Sequence, residues 1–192
     1  MTAPTDLSST HAYRANPDGT LSVDDSYTPE QIASIERLVA RVGAFLHNNL
    51  SDYPLDAAAC CLVVAARIVD LCRPAGVTLE HLQTWARERW RPVRGIANLR
   101  GFKTARGKLA IPQESDEELR ELTYTLWLIT RETSREPGAM DLCGMTGPLL
   151  QMAAALARQS LQVNANDFDF AAGLAWTWQD NWLLRANQGS EA

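Results

Sequence analysis

Histidine, lysine and closely spaced cysteine are all scarce in this chain, and each scarcity removes a class of chemistry. Its three histidines, His11, His47 and His81, form neither HxxxH nor HExxH. The metal hydrolysis those motifs support is therefore not expected. The four cysteines, Cys60, Cys61, Cys72 and Cys143, include no CxxC pair. They read as small buried hydrophobes in a reducing compartment. No cofactor and no metal site is expected. No glycine-rich phosphate loop follows a strand, because no strand of useful length is available. The longest apolar run, 57–72, is broken by Arg67 and Asp70 and falls short of the ~18 residues of a membrane span. Residues 1–27 hold no apolar signal core, so a cytoplasmic location without a membrane partner is expected.

Lysine occurs only at Lys103 and Lys108, and every other cation is arginine. That bias is expected of a GC-rich bacterial or phage coding sequence. At 192 residues, 46% hydrophobic and 21% charged, the chain has the make-up of one ordinary globular domain.

Charge is strongly segregated. Residues 87–108 hold eight of the 18 cations: Arg87, Arg89, Arg91, Arg94, Arg100, Lys103, Arg106 and Lys108. Glu88 is the only acid among them, so the stretch carries +7; the whole chain carries −5, which leaves −12 on the remainder. Arginine suits phosphate because its planar fork donates two bonds at once. Trp90 and Phe102 lie among the cations and can stack on unpaired bases. Five phosphate contacts would give a log–log salt slope of about −4. The same stretch also fits a solvated loop, internal pairing with the acidic body, or an acidic protein partner.

Helical periodicity organises the rest. An N-terminal arm, 1–27, holds Asn16-Pro17-Asp18-Gly19, a turn sequence that fits a small hairpin within YRANPDGTLSV. The first helix is expected over 29–47, with Thr28 and Gln31 as a capping box and Ile32, Ile35, Val39, Val42 and Leu46 on one face. The second, 55–72, is apolar almost all round and belongs in the middle of a bundle. The third opens after Thr78 and ends before Pro92. Residues 93–111 read as a basic loop with a helical turn or short helix near 98–107. The fourth helix is capped by Ser115, carries Leu119, Leu122, Leu126 and Ile129 inward, and is broken by Pro137-Gly138. The fifth spans 148–162. The sixth begins near Asp167, places Phe168, Ala171, Ala175, Trp178 and Trp182 together, and runs to about 186, leaving a disordered tail at 188–192. The expected fold is an all-α single bundle of five to six helices over 28–187, with the arm and the basic loop as additions.

The leading functional expectation is a non-enzymatic, nucleic-acid-associated subunit of a larger nucleoprotein assembly, contacting phosphate through 87–108 and protein neighbours through its acidic remainder. The alternative is a protein–protein adaptor, chaperone or toxin-neutralising protein that makes contact through its acidic surface or through Trp176. Trp176, turned away from Trp178 by helix geometry, is its candidate partner anchor. A further alternative is a cysteine enzyme. Cys143, in DLCGMTGP just before a helix, resembles the turn that holds the cysteine of papain-like and transglutaminase-like enzymes. Those enzymes place their histidine later in the chain, and none follows Cys143. Asp167, Asp169 and Asp180 read as a helix cap and solvated acids.

Overall fold

The computed structural model describes residues 13–15, 21–23, 27–90, 101–111 and 116–188; of the strands and of 180–188 it describes the backbone only. Six α-helices follow one another among the described residues: α1 (Pro29–Leu50), α2 (Pro54–Leu71), α3 (Leu79–Arg89), α4 (Glu117–Ser134), α5 (Thr146–Ala157) and α6 (Ala165–Gln188). A small antiparallel hairpin precedes them, β1 (Tyr13–Ala15) with β2 (Leu21–Val23), in the register Tyr13↔Val23, Arg14↔Ser22 and Ala15↔Leu21. Its turn, Asn16-Pro17-Asp18-Gly19, lies outside the described residues, as does 189–192 of the tail. Among the described residues no helix is long and apolar enough to cross a membrane.

α2 is the central element. Ala57–Ala66 is buried without interruption, and the helix packs most extensively on α5, then on α6 and α4. Its alanines let neighbouring backbones come close, and Cys60 and Cys61 act as small core side chains among them. Pro54 starts it, and a single 3₁₀ turn, Arg73–Ala75, follows it.

The helix starts follow cap chemistry. Thr28 and Gln31 form the expected box, Thr28 N donating to Gln31 Oε1 at 2.9 Å and Gln31 N to Thr28 Oγ1 at 3.2 Å. Thr78 pairs likewise with His81, whose Nδ1 accepts from Thr78 N at 3.1 Å. Two starts differ from expectation. α4 is capped by Asp116, whose Oδ1 accepts from Leu119 N at 3.1 Å, and Ser115 lies outside the described residues. α6 begins at Ala165, just after Asn164, whose Oδ1 accepts from Asn166 N at 2.8 Å, while Asp167 reaches back to Asn164 N at 3.0 Å. Asp167 thus closes a cap from inside the helix; the carboxylate is in the first turn, where the helix dipole favours it. α5 is shorter than expected because its C-terminal residues turn away to form part of a loop contact described below.

The inward face of α4 also differs. Its buried residues are Leu119, Thr123, Leu126, Thr130 and Thr133, while Leu122 and Ile129 are only partly buried. Threonine is tolerated there because each hydroxyl donates within its own helix: Thr123 to Leu119 O at 2.8 Å, Thr130 to Leu126 O at 2.9 Å and Thr133 to Ile129 O at 2.8 Å. With its polar atom satisfied, the side chain presents a methyl group to the core.

Glu136, just past α4, receives Arg37 Nε at 2.8 Å and Arg41 NH1 at 2.6 Å, joining that end to α1. The Arg41 hydrogen bond, aided by the Arg37 contact and both charges, holds its carboxyl below the usual glutamate range. A lowered folded pKa means stability that is present above the unfolded value and is lost as pH falls through the folded one. Glu136→Gln should therefore flatten the acid side of the stability–pH curve, near and below the ordinary glutamate range, and leave it nearly parallel to wild type above neutrality. Urea midpoints measured across pH check this; equal acid slopes would contradict it.

Candidate functional site

The basic segment starts on the last turn of α3, where Arg87 and Arg89 lie, and its final part crosses one end of the bundle. The antiparallel helix order brings the C-termini of α1, α3 and α5 to that end, together with the N-termini of α2, α4 and α6. Residues 101–111 form an irregular strap there; the short helix expected near 98–107 is absent from its described part, 101–107. Three hydrogen bonds pin the strap. Lys103 N donates to Ser51 O at 2.9 Å, and Ala105 N to Gln159 O at 3.2 Å. Ser160 Oγ donates to Gly107 O at 2.9 Å. The two carbonyls that accept from the strap lie at the ends of α1 and α5, where helices leave acceptors unpaired. Satisfying them fixes an extended strap in preference to a helix. Leu109 is buried, and Phe102 meets His47 edge-on at 5.7 Å. Gly101 is left-handed, with φ of 97°, and any Cβ there would collide with the His47 ring.

Each described cation has a definite setting. Arg87 donates to Asp169 on α6 at 3.0 Å. Lys103 pairs with Asp52, in the turn before α2, at 2.8 Å, and both groups are largely exposed. Arg89 is mostly buried, and burial lowers its pKa against the opposing effects of Glu88 and Tyr27. Arg106 and Lys108 are exposed, and no ion pair among the described residues engages them. Arg91, Arg94 and Arg100 lie outside the described residues. The partial neutralisation has a topological cause. Helix N-termini favour acids, so the end that receives the strap also holds Asp52, Asp56, Asp116, Glu117, Glu118 and Asp167. Asp56 is half-buried, and its pKa is raised by burial and then by Asp116, a sign of how closely acids gather there.

The aromatic side chains are engaged internally. Trp90 packs on Phe168 with ring centres 5.3 Å apart, and the Arg158 guanidinium lies 5.7 Å from the Trp90 ring. Arg158 also closes the C-terminus of α3, NH1 donating to Trp90 O at 2.6 Å and to Arg89 O at 3.3 Å. Burial lowers its pKa. Trp90 and Phe102 are both partly buried and pack against the core, so neither ring stands free as a stacking platform. Trp176 is partly buried, and the Arg73 guanidinium lies 4.7 Å from its ring centre. Asp70 in turn holds both Arg73 and Arg67. The anchor expected at Trp176 is thus partly covered by its own chain.

Asp52 and Arg158 are residues that sequence reasoning does not reach, and Asp169, expected as a solvated acid, is instead the partner of Arg87. Their partners are far away in the chain, and a lone acid or arginine on a helix has no local signal of what it will meet. Cys143 is partly exposed, and the influence of Cys72, burial and the Asp141 charge raise its pKa. An activated nucleophile at this position needs the opposite direction. Comparison with protein-family models, curated proteins and solved structures finds no match to this chain.

Proposed function

We propose that the protein is a non-enzymatic binding subunit that meets the phosphate backbone of nucleic acid through its basic strap, within a larger assembly whose protein members face its acidic remainder. The observation that supports this reading is the pair Arg106 and Lys108, exposed and without an acid partner among the described residues, on a strap whose backbone is already tied down. A pre-ordered strap loses little conformational entropy on binding. Arg91, Arg94 and Arg100 add charge to the same segment by sequence. Phosphate contact of this kind carries affinity without base preference.

The test is salt-dependent binding to short duplex and single-stranded oligonucleotides. Arg106→Ala with Lys108→Ala should weaken binding to all sequences alike and reduce the log–log salt slope by roughly 2, about one unit for each cation replaced. An unchanged slope removes these residues from the interface.

A second reading has its own support. Leu161 is 98% exposed, directly after Ser160, which bridges to Ala105 of the strap. An apolar side chain beside exposed cations also suits an acidic protein partner, since protein interfaces join apolar anchors to charged rims. Binding that survives nuclease and is abolished in Leu161→Ala would favour this reading over the first.

A further inference from the structure

Three exposed cations, Lys103, Arg106 and Lys108, stand in succession on the strap, and an exposed aromatic ring lies beside them. Tyr53, in the turn between α1 and α2, is 62% exposed. It is the N-cap of α2, yet its side chain makes no capping bond, and among the described residues no hydrogen bond or ring contact engages it. The strap meets this turn on both sides of Tyr53. Before it, Ser51 O accepts from Lys103 N at 2.9 Å and Asp52 pairs with the Lys103 ammonium at 2.8 Å. After it, Leu55 Cδ1 lies 4.0 Å from where a Cβ on Gly107 would stand. We infer that Tyr53 is a base-stacking platform that makes the strap a site for single-stranded nucleic acid, an inference that rests on the phosphate reading of the strap given above.

Stacking on an unpaired base needs a flat π-face open to solvent, next to charge that holds the backbone. Trp90 and Phe102 carry the charge beside them but are partly buried. Phe170 is as open as Tyr53, but the cation that reaches its neighbour Asp169 is Arg87, which that carboxylate already holds. Tyr53 alone among these rings combines exposure with unpaired cations close by. Exposure alternates along the strap from Ala105 to Ala110, with Arg106, Lys108 and Ala110 outward. Alternation of that kind belongs to an extended chain, whose side chains point to opposite faces in turn, so Arg106 and Lys108 share one face.

The surroundings of this row favour one strand over two. Asp52, Asp56, Asp116, Glu117 and Glu118 share this end of the bundle. One phosphate backbone can follow a single row of cations, whereas the second backbone of a duplex must approach the acids and is repelled. Paired bases are also stacked on one another and cannot reach the Tyr53 ring. Every base has a π-face, so the platform selects strandedness and not sequence.

The experiment measures binding of the full chain to a short fluorescein-labelled oligodeoxythymidine and to a mixed-sequence duplex of the same length, by anisotropy across a salt series. The wild-type protein should prefer the single strand. Tyr53→Ala should weaken single-strand binding roughly 5- to 20-fold, with duplex binding and the salt slope unchanged because no cation is removed. Its thermal midpoint should stay within about 2 °C of wild type, as for other exposed positions. Tyr53→Trp should bind like wild type, whereas Tyr53→Leu, with bulk but no π-face, should bind like Tyr53→Ala. Phe170→Ala should leave both affinities as they are. Equal losses for the two nucleic acids in Tyr53→Ala, or wild-type binding in Tyr53→Leu, overturn the stacking platform. Binding that depends on Arg106 and Lys108 but not on Tyr53 overturns it while the phosphate reading survives. A wild-type protein that binds neither oligonucleotide at low salt overturns both. Capture of an acidic peptide that is lost in Tyr53→Ala, with oligonucleotide affinity unaltered, assigns the ring to a protein partner and overturns the inference.

Discussion

Replacing Phe168 with alanine should lower the free energy of unfolding by about 3–5 kcal/mol. Phe168 is fully buried in the first turn of α6, under the Trp90 ring. The cost of truncating a core aromatic depends on how far its surroundings can collapse into the space. Collapse is restricted here, because the Arg158 guanidinium lies near the Trp90 ring and also holds the Trp90 carbonyl. The cost should therefore fall in the upper part of that range. Phe170, two residues on, is 67% exposed, so Phe170→Ala should change stability by less than about 0.5 kcal/mol. Urea unfolding of the two variants gives an internal comparison. Equal losses would mean that α6 does not present the face described.

Arg158→Ala should cost about 1.5–3 kcal/mol, the range for hydrogen bonds that involve a charged group. One guanidinium closes the α3 C-terminus through two carbonyls and stacks on Trp90, so its removal opens the junction where the basic segment begins. Arg158→Lys should recover only a minor part, since an ammonium lacks the planar fork and stacks poorly. The same substitution tests the strap's dependence on that junction. If the strap binds phosphate as proposed, oligonucleotide affinity should fall in Arg158→Ala at temperatures where the variant is still folded, with the salt slope unchanged because the strap's cations are retained. A full recovery of stability in Arg158→Lys would show that charge alone, without the fork geometry, closes α3.

Neutralisation within the basic segment bears directly on function. Two of the described cations, Arg87 and Lys103, already have carboxylate partners, and Arg89 is mostly buried. Exposed ion pairs are weak and are screened by salt, so Lys103 can exchange Asp52 for a phosphate at little cost. Arg89 cannot make such an exchange without leaving its packing site. On the proposed reading, the effective surface is narrower than the charge count suggests and centres on Arg106 and Lys108.

Most helices are legible in local chemistry. The Thr28–Gln31 box and the cap at Thr78 need only neighbouring residues, and the burial of α2 follows from a segment with no polar face to show to water. The apolar stripe of α4 is less direct. Counting only aliphatic residues moves the face toward Leu122 and Ile129, whereas Thr123 and Thr130 fill it once their hydroxyls are satisfied within the helix. The start of α4 is displaced by a similar competition, because Ser115 and Asp116 are both good caps and only the backbone path chooses between them.

The candidate site is legible as composition and not as geometry. Periodicity, caps and breakers determine from the sequence alone an all-α bundle with a central apolar helix and one run of positive charge, since each depends on residues within a few positions of one another. Tertiary structure decides that Arg87 faces Asp169, that Arg158 closes α3, and that the strap runs between the ends of α1 and α5. Those contacts join residues widely separated along the chain. Their partners are selected by which helix ends the antiparallel packing brings together, and no local pattern encodes that choice.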